Sequence, residues 1–146
     1  MEQKDQVKNL FTAATMVVIC WIANLLLTFS CIETMPLELA VMMSIIIIAP
    51  IIEEGVRRFA VVKGFAWMFC MILCMVETMV HNTGTMATLF RFLPITMHVA
   101  VTLVQVKMHD RSKSYERPSL SWIGLFLAFA IHASYNFLAY CLTNWP

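Results

Sequence analysis

The sequence predicts an all-helical membrane protein, a bundle of about five transmembrane helices around a polar intramembrane cavity. Three observations carry this prediction. Hydrophobic residues make up 60% of the 146 residues and charged residues only 13%, a balance suited to lipid rather than water. Apolar runs close to the ~20 residues needed to cross a bilayer recur along the chain. Ionisable residues stand inside some of those runs, where hydrocarbon makes them costly.

The elements follow in order. After the polar residues 1–9, residues 10–30 carry no charge. That run is longer than the apolar core of a signal peptide and is expected to stay as an anchor. Further spans are expected over residues 37–61, 64–83, 86–107 and 119–142. They are separated by breaks at 33–38, at Lys63-Gly64, at 81–84 and in the polar stretch 107–118. The chain therefore reads as one membrane domain, 1–146, with an anchor helix and first loop (1–36) and a four-helix core (37–142). No repeat is visible, which disfavours a transporter built on inverted halves.

Charge sets the expected orientation. Lys4, Lys8, Arg57, Arg58, Lys63, Lys107, Arg111, Lys113 and Arg117 mark one side, and Arg91 lies toward the other with Glu33 and Glu38. The positive-inside rule makes the basic side cytoplasmic. The N-terminus is then inside and the C-terminus outside a cell membrane, the inner one where there are two. A net charge of +1 gives no case for nucleic acid as a partner. The five cysteines form no CxxC pair and read as small apolar residues.

The charges between the ends carry the functional reading. Residues 39–52, between Glu38 and Glu53, are too few to cross, so the second span carries Glu53 and Glu54 into the hydrocarbon. Residues 64–76 are likewise too few, so the third carries Glu77 inward. At a rise of ~1.5 Å per residue, Glu54 lies ~14 Å and Glu77 ~20 Å from a turn at Lys63. His98 lies ~14 Å from Lys107 and His132 ~20 Å from Ser119. Four helices thus place a carboxylate or imidazole in one band. Pro50 and Pro94 precede Glu53 and His98 by about one turn, and a proline there frees a carbonyl that needs a polar setting.

Each residue also has a structural reading. Glu53 and Glu54 can pair with Arg57 and Arg58 at helical spacing; alternatively, one anchors an arginine while the other activates water as general base. His132 and Asn136 share a helix face and either bond between helices or stabilise an oxyanion. His98 either bonds a neighbouring carbonyl, orients water or ligates a metal. Arg91 is expected to point outward or pair with Glu77. His81 and His109 are expected to be solvated.

Taken together, these residues resemble a known group. The run Ala49-Pro50-Ile-Ile-Glu53-Glu54-Gly-Val-Arg57-Arg58 resembles the paired-glutamate motif of the PrsW-like and CAAX-protease/bacteriocin-processing (CPBP, Abi) intramembrane peptidases. Glu77, His98 and the HxxxN sequence from His132 to Asn136 follow in the order of the PrsW branch, with Leu73 where that branch has Phe. The likeness covers residues 49–140. It implies an intramembrane endopeptidase acting on a membrane-anchored protein or peptide, with Glu53 or Glu54 activating water, His98 assisting, and His132 with Asn136 holding the oxyanion. No cofactor is favoured. A zinc-dependent alternative would use Glu54, His98 and His132 as ligands with an open fourth position. A non-catalytic scaffold or immunity protein with a peptidase-like core is the other alternative.

Overall fold

The computed structural model describes residues 3–80 and 88–143. Among these residues the chain forms five helices and no strand: α1 (Gln3–Thr34), α2 (Leu37–Lys63), α3 (Ala66–Val80), α4 (Thr88–Ser114) and α5 (Pro118–Thr143). Three of them, α1, α2 and α5, are long and apolar enough to cross a membrane. α3 is apolar but shorter, and α4 is long but more polar. His81, with the predicted break at 81–84, lies outside the described residues.

Local chemistry ends each helix. Pro36 opens α2, where its missing N–H costs no hydrogen bond. Gly64 closes it at φ 82°, with Gly64 N–H on Val61 O and Phe65 N–H on Ala60 O, the left-handed ending that glycine makes cheap. The polar stretch 107–118 is not the loop expected. α4 runs on to Ser114, and the turn occupies only Tyr115, Glu116 and Arg117 before Pro118 starts α5. Lys, Met and Arg are good helix formers, so polarity there marks departure from the apolar zone rather than the end of the helix.

α2 is the central element and packs against the other four, while α1, α3, α4 and α5 form an arc around it. Ala13, Val17 and Cys20 of α1 bury against Ala60 of α2 and Phe65, Phe69 and Leu73 around α3. α4 and α5 make the most extensive pairing. It is close because Gly124 faces Met108, and a Cβ added at Gly124 would lie 2.7 Å from Met108 Cβ. Small residues at helix contacts permit such approach in membranes. Gly124→Val is expected to destabilise the protein by ~1–3 kcal/mol through overpacking. A melting point equal to the parent's in detergent would contradict that packing.

Pro50 acts on α2 as its position suggests. The five residues before α2's final segment, Ser44–Ile48, form a π turn. Proline at 50 has no N–H to offer the carbonyl of Ile45 five residues back, and the Asn136 amide donates to that carbonyl instead, at 2.8 Å. α5 thereby closes a backbone gap that Pro50 opens.

Candidate functional site

Glu54 is the hub. On the central helix it is fully buried, and its two oxygens collect donors from three helices. Arg57 Nη1, one turn along α2, donates to Oε1 at 2.6 Å. His132 Nδ1 of α5 lies 2.7 Å from the same oxygen. Gln105 Nε2 of α4 donates to Oε2 at 2.8 Å and reaches the Glu54 main-chain oxygen at 3.2 Å. A buried carboxylate needs this degree of satisfaction to stay in place.

The donors fix the histidine tautomers. A guanidinium only donates, so Arg57 Nη2, 2.9 Å from His98 Nδ1, makes that nitrogen an acceptor. The neutral His98 ring then carries its proton on Nε2, which stands 3.0 Å from Glu77 Oε2 of α3. Glu54 only accepts when ionised, so His132 donates from Nδ1. Its Nε2, which holds a lone pair when the ring is neutral, faces Glu53 Oε2 at 3.9 Å. The two imidazoles meet edge to face, with centroids 5.4 Å apart. A line of contacts therefore runs Glu77, His98, Arg57, Glu54, His132, Glu53 through four helices.

Glu53 contrasts with its neighbour. Successive residues on a helix point different ways, so Glu53 leaves the hub while Glu54 enters it. Its Oε2 is shielded from solvent and has no hydrogen-bond partner among the described residues. Its side chain also lines a cavity of about 290 Å³ with Ala49 of α2 and with Trp21, Asn24, Leu25 and Thr28 of α1. Behind that wall, Ser44 donates to Asn24 Oδ1 at 3.2 Å and its hydroxyl meets that of Thr28.

The remaining candidates separate by place. Arg58 turns from Arg57's side, donates to Ser121 O at 2.6 Å and lies over the Trp122 ring at 4.2 Å. His109 is half-buried rather than solvated, with Nδ1 3.3 Å from Ser121 Oγ. Burial, with Lys113 adding to it, pushes its imidazole below the ordinary range. Asn136 is engaged with Ile45. The Arg91 side chain lies outside the described part. For Asn136→Ala we expect a loss of ~1–3 kcal/mol in stability, because the Ile45 carbonyl loses its donor; chemical unfolding in detergent would measure it.

Gln105 and the α1 residues carry no motif, yet Gln105 had a signal. His98, Thr102, Gln105, His109 and Ser112 recur every three or four residues, a polar stripe along one face of α4. Thr102 is fully buried there and donates to His98 O at 2.7 Å. The three ligands of the zinc alternative, Glu54, His98 and His132, do come together, but Arg57 stands between the first two. Among the described residues no group of three or more His, Cys, Asp or Glu side chains has the geometry to hold a metal. No family model matches the chain, and no curated protein or solved structure matches it.

Proposed function

We propose that this chain is an intramembrane endopeptidase in which Glu53 activates water against a peptide bond of a membrane-anchored protein or peptide. The observation that carries the reading is the division between the two adjacent glutamates. Glu54 is saturated by Arg57, His132 and Gln105. Glu53 has an unpaired oxygen facing His132 Nε2 and lines the cavity. Once the two side chains part enough to admit it, a water bonded to both at ~2.8 Å would bridge that span, leaving its lone pairs for an electrophile. Glu53 takes the proton as the water oxygen bonds to the carbonyl carbon. It then gives the proton to the departing nitrogen as the C–N bond breaks. Glu54 orients His132, and Arg57 with Glu77 orients His98. The motif order from Glu53 to Asn136 supports the same reading by its resemblance to the PrsW-like and CAAX-protease peptidases.

A glutamate mechanism is favoured over a zinc one because Arg57 puts a permanent cation against two of the three would-be ligands. The decisive assay is cleavage of membrane-anchored peptides by the purified protein in lipid vesicles. Cleavage is expected to survive strong chelators, without stoichiometric zinc in the sample. Loss on chelation with recovery on adding zinc would instead establish the metallo alternative. The dense satisfaction of Glu54 also suits a scaffold or immunity protein, and no cleavage of any such peptide would favour it.

The topology proposed with this function is five spans with the N-terminus cytoplasmic. A reporter fused after Lys113 is expected inside and one after Pro146 outside. Both ends on one side would end the five-span arrangement.

A further inference from the structure

The first helix need not be only an anchor, because it supplies one wall of the cavity on which Glu53 opens. Trp21, Asn24, Leu25 and Thr28 of α1 face Ala49 and Glu53 of α2 across about 290 Å³, the liquid volume of roughly ten waters. α1 and α5 flank α2 on this side, and among the described residues they make no extensive contact with each other. Leu25 is 58% exposed and Trp21 49%, so the cavity's rim meets the surroundings of the bundle at its α1 wall.

The wall is mixed in a specific way. Trp21, Leu25 and Ala49 are apolar, while Glu53 offers an acceptor. Asn24 offers donors, because its Oδ1 is engaged by Ser44 and its amide N–H groups are left for the cavity. An acyl chain cannot satisfy a carboxylate and an amide at membrane depth. A stretch of extended polypeptide can, because each residue brings one donor and one acceptor. We propose that this cavity is the substrate-binding site for an unwound, apolar segment of a membrane-spanning peptide. The segment enters past the exposed α1 rim, with Asn24 bonding its backbone and Trp21 and Leu25 selecting its side chain. The proposal rests on the peptidase reading, and it makes α1 a specificity-determining element rather than a tether.

The test uses matched leucines on α1. Leu25 lines the cavity, while Leu26 is 61% exposed and is not among the lining residues. Leu25→Cys and Leu26→Cys are made in chains whose five native cysteines are alanine, reconstituted in vesicles and treated with a charged methanethiosulfonate. That reagent needs water and a thiolate, so labelling at 25 is expected at least tenfold faster than at 26. The probe peptide is a lysine-flanked, 20-residue apolar span with a central Gly-Gly pair. In a Glu53→Gln background it is expected to slow labelling at 25 at least fivefold, and Asn24→Leu is expected to abolish that protection. Equal, slow labelling at both positions would mean a lipid-filled groove and would overturn the proposal. Fast labelling without protection would mean a water pocket only, and would also overturn it. Protection at position 25, together with no cleavage of the same peptide by the parent protein that keeps Glu53, would keep the binding site and remove the peptidase reading. Comparing size-exclusion profiles of every variant separates these outcomes from misfolding.

Discussion

Glu53→Gln is expected to lower the cleavage rate by ~10²–10⁴-fold, the contribution of a positioned general base, while leaving thermal stability near that of the parent. Glu53 has no hydrogen-bond partner among the described residues, and its ring neighbour His132 stays 3.9 Å away. The amide therefore removes a base without removing a bond. Glu54→Gln is expected to behave differently. It strips the charge from the group that receives Arg57 and His132 on one oxygen and Gln105 on the other. The loss is that of breaking a buried ion pair, ~3–5 kcal/mol, and activity falls with the fold. Paired cleavage and melting measurements on the two variants decide the matter. Two variants as active and stable as the parent would remove the division of labour. An inactive, fully stable Glu54→Gln beside an active Glu53→Gln would reverse it.

That division was half legible in the sequence. Adjacent glutamates on a helix must diverge, and i,i+3 spacing offers Arg57 to one of them, so the roles could be stated but not assigned. Assignment needs the helix's rotation, which depends on what α4 and α5 present. That these residues share one level along their helices was legible because it needs only the helical rise, and Glu54, His98, His132 and Glu77 do meet in one network. The ends of the helices were less so. Hydropathy senses the apolar zone, whereas α1 and α4 continue as helix through polar residues beyond it.

That α1 walls the cavity beside Glu53 was not legible at all. Nothing in the run from Cys20 to Thr28 distinguishes it from an ordinary membrane anchor carrying one asparagine and one threonine. Ser44, which bonds Asn24, and Glu53, which shares the cavity, lie on another helix. Pro50 shows the opposite case. A proline within an apolar run signals a freed carbonyl, and Asn136 was among the candidates, but their pairing across 91 residues is a tertiary fact. In this structure Asn136 clasps the π turn, and the oxyanion role that the motif implies is a separate expectation. If that motif role held, Asn136→Ala would slow cleavage by ~10²–10³-fold with unchanged stability.

Arg57→Met is expected to be among the most destabilising single changes in the bundle. The guanidinium is fully buried, with one nitrogen on Glu54 at 2.6 Å and another on His98 at 2.9 Å. Removing it leaves Glu54 ionised or protonated without its counter-charge and frees His98 Nδ1, at a cost of ~3–5 kcal/mol. Lysine is not expected to rescue it, because a single ammonium cannot span both partners in the planar geometry of the fork. Arg58→Met provides the contrast. That side chain is half-buried against Ser121 and Trp122, and its ring contact is worth only ~0.5–1 kcal/mol at an exposed site. The double variant Glu54→Gln/Arg57→Met is expected to lose less than the two single losses combined, since the charges are removed together and the residues share one interaction. Chemical unfolding of the four proteins in one detergent measures the coupling directly. Additive losses, or an Arg57→Met protein that unfolds with the parent, would show that Arg57 is not the cation holding Glu54 in the hub.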